Sequence, residues 1–265
     1  MSLFISSVFT YDEDAGNYIQ AVETADAQAL EPATRKAINN FVIGCKQDGI
    51  WTAIKASCIL AGARTLAGAL VPLVGTAPAN NGFIGIGTDY VRKTGLVGDG
   101  STRYLDSNRN NNADPQNSFH LSVYASSASQ AAFNNLIGTR LPGDNQSARA
   151  LHLSTGPAIV GYANFSGVIS TAPTFSSGFV GVRRATSISA TLRVAAVNTD
   201  STSTSASVAS NSLNIPVFAR RTAVSTLDGY SNARLAFYSI GEAIDLALLD
   251  ARVTDLINAF AVTIP

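Results

Sequence analysis

Hydrophobic positions along this chain change period near residue 78. Before it the spacing is helical: Tyr18, Ile19 and Val22 fall on a 3.6-residue repeat. Pro32 stands where a helix can start, because its missing N–H is one the first turn leaves unpaired anyway. Ile38, Phe41, Val42 and Cys45 follow at i, i+3, i+4 and i+7 as one apolar stripe, and Gly49 is placed to stop that helix in a left-handed cap. A further helix is expected from Ile50, with Trp51, Ile54 and Cys58 on one side and Trp51 in the core. The Gly/Ala-rich stretch to Leu73 fits helix or loop. Ile59 to Val74 is apolar, but Arg64 interrupts it and it is short for a membrane span, so it reads as buried in the protein.

After residue 78 the pattern becomes short runs that alternate or are wholly apolar, punctuated by Gly, Asn, Pro and Ser. Phe119, Leu121 and Val123 alternate with His120, Ser122 and Tyr124, the period of a strand with one buried face. Ala158–Tyr162, Phe179–Arg183, Ser187–Val197, Ile215–Arg221 and Arg234–Ile240 are further strand candidates. Many short strands with turn signals between them predict a β-sandwich or jelly roll. The Ser/Thr tract Asp200–Ser212 is too polar for core and reads as an exposed loop or edge hairpin. Asp245 is placed to cap a last helix whose apolar face is Leu249, Val253, Leu256, Ile257 and Phe260. The expected organisation is an N-terminal strand and helical segment over 1–77, then a sandwich over 78–265 closed by the C-terminal helix.

Composition narrows the partners. Eighteen basic residues balance eighteen acidic ones, and with charged residues at only 14% and no basic run the electrostatic footprint of a nucleic-acid binder is missing. The polar surface must come from Ser, Thr, Asn and Gln, which suits assembly contacts and sugars. Cys45 and Cys58 read as buried free thiols in apolar helical stretches. A disulfide joining those helices would need an oxidising compartment. The first residues have no basic stretch and run into Asp12-Glu13-Asp14, unlike a signal peptide.

Candidate chemistry is sparse. Retaining polysaccharide hydrolysis needs two carboxylates about 5–5.5 Å apart across a cleft. Glutamate occurs only at 13, 23, 31 and 242, so no strand candidate between Pro32 and Gly241 carries one, and the aspartates of that region fall in turn-like surroundings. His120 and His152 lie opposite the apolar positions of Phe-His-Leu-Ser-Val and Leu-His-Leu-Ser-Thr, with Ser122 and Ser154 on the same faces. Without a G-x-S-x-G turn they read as surface or interface histidines. Gly85-Ile-Gly87 lacks the third glycine of a dinucleotide fingerprint, and HExxH and CxxC patterns are missing. One metal-like run remains: Asp106, Asn108, Asn110 and Asp114 space oxygen-bearing side chains as a calcium loop does. It lacks the turn glycine and the bidentate Glu, and an Asn/Asp-rich turn satisfying its own backbone is the favoured explanation. No other cofactor is expected. For sugar stacking, Tyr90, Tyr104, Tyr162 and Tyr230 lie near strand ends.

Three stretches carry a resemblance: Asp48-Gly-Ile-Trp-Thr-Ala-Ile-Lys, Thr94-Gly-Leu-Val-Gly-Asp-Gly-Ser-Thr-Arg-Tyr-Leu-Asp, and the aromatic strand and helix of Ser231–Ile264. In that order they resemble a family of tailed-bacteriophage virion proteins with a concanavalin-like, laminin-G-like jelly roll. The resemblance implies a non-enzymatic structural component located in the virion: a tail, baseplate or fibre protein, or one decorating the capsid. Such a component works through contacts with other virion proteins and with its own copies, without membrane or nucleic acid. The N-terminal strand-like Leu3–Phe9 could then pair with a neighbour's sheet edge. The alternative is a lectin-like module that binds host-surface glycans for attachment.

Overall fold

The computed structural model describes residues 10–128, 133–154, 158–165, 167–170, 175–202 and 206–265, so Leu3–Phe9 and its proposed strand exchange lie outside the described residues. Helix α1 (Glu13–Asp26) starts at Asp12, whose side chain accepts from the Asp14 N–H, and places Glu13 and Asp14 at the positive end of the helix dipole. Helix α2 (Pro32–Gln47) begins on Pro32 and gives way at Gly49, which has φ +71°. The short α3 (Leu66–Ala69) lies within the Gly/Ala-rich stretch, and α4 (Leu246–Thr263) closes the chain from an Asp245 cap.

Two packed sheets form the body. The first runs, in spatial order, β13 (Val197–Thr202), β12 (Ser189–Val194), β11 (Gly178–Arg184), β6 (Phe119–Ser127), β17 (Arg234–Gly241), β4 (Gly95–Val97) and β3 (Tyr90–Val91). β1 (Ile54–Ile59) also pairs with β17, antiparallel. The second runs β10 (Ile169–Ser170), β9 (Ile159–Ala163), β8 (Arg149–Leu153), β7 (Asn135–Thr139), β14 (Asn214–Val217), β5 (Tyr104–Asn110) and β2 (Ala79–Asn81). A hairpin of β15 (Arg220–Ala223) and β16 (Thr226–Asp228) attaches to β7 through the parallel pair Arg221–Thr139. The expected mainly-β jelly-roll sandwich with N-terminal helices and a closing helix is therefore what the chain builds.

Two expectations need correction. Only a short 3₁₀ turn, Trp51–Ala53, follows Ile50; Ile54–Ile59 is a strand of the first sheet, so Cys58 sits on β1 while Cys45 sits on α2. Buried strands read as continuous apolar runs, which periodicity cannot tell from a helix. Trp51 is half-buried at the core's edge, its Nε1–H donating to Asp14 at 3.1 Å. Both thiols are free and buried, and burial pushes each up to about 12. One continuous core spans residue 78, from Ala15 through the sheets to Ile264.

The two sheets meet the outside differently. α2 and α4 cover the outer face of the first: Phe41 packs edge-on to Phe237 with ring centroids 5.8 Å apart, Arg183 donates to the Ile244 carbonyl and Arg193 pairs with Asp250. Gly181 permits this approach, since a Cβ there would lie 3.0 Å from the Leu246 side chain. The outer face of the second sheet carries the cavity described next.

Candidate functional site

Strands β7, β8 and β9 run side by side, and their register sets Asn135 opposite His152 and Ala150 opposite Tyr162. Together with Phe133, Arg140 and Arg220 these side chains line a cavity of about 210 Å³. Each wall has a local cause. Asn135 is seated by Gly229, the residue after β16: the Asn135 N–H donates to the Gly229 carbonyl at 2.7 Å, and the amide Nδ2 donates to Phe133 and Gly229 carbonyls. Gly229 has φ +54°, and a Cβ there would stand 2.0 Å from Asn135 Nδ2, so only glycine leaves that amide its place. Arg140 leaves the end of β7 with its backbone N–H held by the Arg221 carbonyl, and its guanidinium lies 5.0 Å from the centre of the Tyr162 ring. Tyr162 is also stacked with His152 at 5.5 Å. Arg220, from the β15–β16 hairpin, forks onto Asp228 with bonds of 2.8 and 2.6 Å. Phe133 at the rim is 63% exposed, a free aromatic face beside a polar wall.

Polar atoms in these walls stand without partners. Asn135 Oδ1, Arg140 Nε and His152 Nδ1 are all buried and unbonded. The Arg140 guanidinium has no hydrogen-bond or ion-pair partner among the described residues. Burial, then the positive charges of Arg220 and Arg140, hold the His152 ring down to about 4, so it is neutral near pH 7. Native interiors pair almost all buried polar groups, so three orphans in the residues around one cavity set this wall apart. The walls offer a donor at Arg140, an acceptor at Asn135 and a ring nitrogen of either role at His152. Among the described residues, the only carboxylate lining this cavity or its neighbour is Asp228, already held by Arg220.

Two other concavities are bordered by guanidiniums that already have acceptors. In one of about 400 Å³ near Asp114 and Arg149, Arg149 donates to the Asp114 and Pro115 carbonyls and Gln116 to that of Ser207. The groove between α2 and α4, about 370 Å³, is bordered by an Arg252 that forks onto Asp48.

The residues singled out from the sequence distribute as follows. Asp106–Asn110 is not a turn but part of strand β5, bulged at Asn108, which has φ +56°. Asp106 meets Arg221 at 2.7 Å, and buried Asp114 takes Arg109 through Nε at 2.9 Å. Asn108 donates to the Ala77 carbonyl, and Asn110 is exposed at the strand's end. Each carboxylate thus already faces a guanidinium, and no group of three or more His, Cys, Asp or Glu able to hold a metal occurs among the described residues. The N–H groups of Ile84 and Gly85 donate to Asp89 rather than forming a phosphate cradle.

Neither histidine is a surface residue. His120 is fully buried beside the segment that joins β17 to α4: its Nδ1–H donates to the Glu242 carbonyl at 2.6 Å, leaving Nε2 to accept from Ser239 Oγ at 2.7 Å. Its serine partner is Ser239 on the next strand, not Ser122. Of the four tyrosines, Tyr162 lines the cavity, Tyr90 is buried with its hydroxyl on the Ala63 carbonyl, and Tyr104 and Tyr230 pair edge-on. Phe133, Asn135, Arg140 and Arg220 were not anticipated. A lone Phe in the polar run Ser-Gln-Ala-Ala-Phe-Asn-Asn was the available signal for the first.

No protein-family model matches this chain, and neither does any curated protein. Among solved structures it is similar to the CBM40 of a Ruminococcus gnavus IT-sialidase bound to α2,3-sialyllactose: 10% identity, 51% of this chain, 82% of that one, TM-score 0.40. It is similar to the binding domain of botulinum neurotoxin serotype D at 10% identity and TM-score 0.49, covering 77% of this chain but only 51% of that one. A third is domain 4 of an extracellular arabinanase from Geobacillus stearothermophilus, in complex with arabinotriose, at 11% identity, 69% and 82% coverage and TM-score 0.39. Likeness at this level carries no argument about function, which has to be argued from the cavity.

Proposed function

We propose that this chain is a non-catalytic carbohydrate-binding module whose site is the cavity on the outer face of the second sheet. The observation that supports it is the set of unpartnered atoms Asn135 Oδ1, Arg140 Nε and His152 Nδ1 around one concavity of about 210 Å³. A sugar ring matches both kinds of wall: its hydroxyls take donor and acceptor positions, and its apolar face suits the exposed ring of Phe133. Hydrolysis would need a second, free carboxylate, which this wall does not present. A glycan array probed with the whole chain tests the reading. Binding that is lost in a Phe133→Ala variant of unchanged thermal stability is expected, and no binding to any glycan would overturn it.

For the setting, the resemblance to tailed-phage virion proteins makes attachment to a host surface the natural task of such a module. Mass spectrometry of purified particles then gives a copy number in the tens. Hundreds of copies per particle would return the chain to a shell or tube role.

A further inference from the structure

The two arginines of the cavity are in different states. Arg220 has its fork filled: Nε bonds Asp228 Oδ1 at 2.8 Å and Nη2 bonds Oδ2 at 2.6 Å. Arg140 lines the same cavity, and with Arg220 it also lines an adjoining one of about 150 Å³. It offers the same fork with nothing in it. Its Nε is buried without an acceptor, and the neighbouring Tyr162 ring supplies none. With His152 neutral, the two cavities carry two guanidinium charges against one carboxylate, and that carboxylate is taken. A guanidinium kept partly out of water without an acceptor is unfavourable, and a planar two-oxygen anion relieves it through two parallel bonds.

We infer that the site selects a carboxylated pyranose, with Arg140 clamping the carboxylate as Arg220 clamps Asp228. The inference rests on the carbohydrate reading and narrows it to acidic sugars. In this arrangement Asn135 Oδ1 accepts from a ring hydroxyl, and the pyranose lies toward Phe133. A carboxylate fits better than a tetrahedral sulfate or phosphate because Asp228 already shows which group satisfies an arginine in this wall. Uronic acids and sialic acids both carry that group on a pyranose, at different ring positions.

Calorimetric titration of the whole chain at low salt tests the inference with three probes: methyl β-glucuronide, methyl α-N-acetylneuraminide and neutral methyl β-glucoside. At least one carboxylated probe is expected to bind tenfold or more tighter than the glucoside. Arg140→Gln should weaken the preferred acidic probe tenfold or more and so erase that preference. Which acidic probe wins separates the uronic from the sialic source, and either supports the inference. Equal binding of all three, indifferent to Arg140→Gln, overturns it while the carbohydrate reading stands; no binding of either acidic probe also overturns it, and the glycan array then decides the carbohydrate reading. Should Arg140→Gln fail to fold, NMR on the unmodified chain decides: the Arg140 Nε–H resonance must shift on adding the preferred acidic probe and stay in place with the glucoside.

Discussion

His120 and His152 occupy equivalent positions in two near-identical strand patterns, and the molecule treats them in opposite ways. Both rings are buried and held down to about 4, chiefly by that burial. On the first sheet both nitrogens of His120 are bonded, to the Glu242 carbonyl and to Ser239. On the second sheet the His152 Nδ1 is left without a partner, beside an arginine and an amide in the same condition. Burial is common to the two places, so burial does not mark the site. What differs is whether the protein finishes its own hydrogen bonding.

Acid is the bluntest way to probe this pair. Each ring stays neutral in the folded chain, while in the unfolded chain it takes a proton near pH 6.5. Their contribution is therefore complete above about pH 6.5 and is lost as pH falls toward 4, a change on the order of 3 kcal/mol for each. Urea denaturation from pH 7 to 4 should show stability falling with pH. Replacing either histidine with Gln should flatten the curve by roughly half of the histidine part. A curve unchanged in both variants would show that neither ring is held neutral.

Substitution separates the two where acid cannot. His120→Ala strands the Glu242 carbonyl and the Ser239 hydroxyl and leaves a buried hole, at about 3 kcal/mol. His152→Ala breaks no bond at Nδ1 and should cost about 1 kcal/mol, while weakening glycan binding. Equal losses in denaturant midpoint would erase the distinction between a finished and an unfinished wall.

The same contrast explains what could be read ahead of the structure. β6, β11 and β17, the two long N-terminal helices and the closing helix were legible because each carries a period or a cap of its own. β1 was not, because a strand buried on both faces loses its alternation. Strand β5 was hidden by its Asp and Asn side chains, which suit a turn until arginines from elsewhere, Arg221 and Arg109, claim the carboxylates. The site was the least legible part. His152 and Tyr162 could be seen on their strands, but Arg140 and Arg220 are brought together only when β15 docks beside β7. Whether an atom ends up without a partner is a property of the packed chain, and no spacing announces it.

The filled and empty forks of Arg220 and Arg140 can also be exchanged. Asp228→Asn removes the resident carboxylate and opens a second fork in the same wall. Affinity for an acidic sugar should rise roughly threefold to tenfold, with little change for a neutral one. Weaker binding of the acidic probe in this variant would mean that Asp228 positions the ligand rather than competes with it.

The smallest effect is the sharpest discriminator. Arg140 contacts the Tyr162 ring and nothing charged, so Arg140→Gln should alter folding stability by no more than about 0.5 kcal/mol, since it forfeits only one partly exposed cation–π contact. Arg149, its buried counterpart, lies 3.9 Å from the Phe119 ring centre and donates to two backbone carbonyls, so Arg149→Gln should cost several times more. Both are read from chemical denaturation at pH 7. If Arg140→Gln destabilised the fold as much as Arg149→Gln, the guanidinium would be part of the scaffold and its empty fork would say nothing about a ligand. If stability is unchanged and acidic-sugar binding is lost, the fold does not need Arg140, and the ligand alone accounts for its place in the wall.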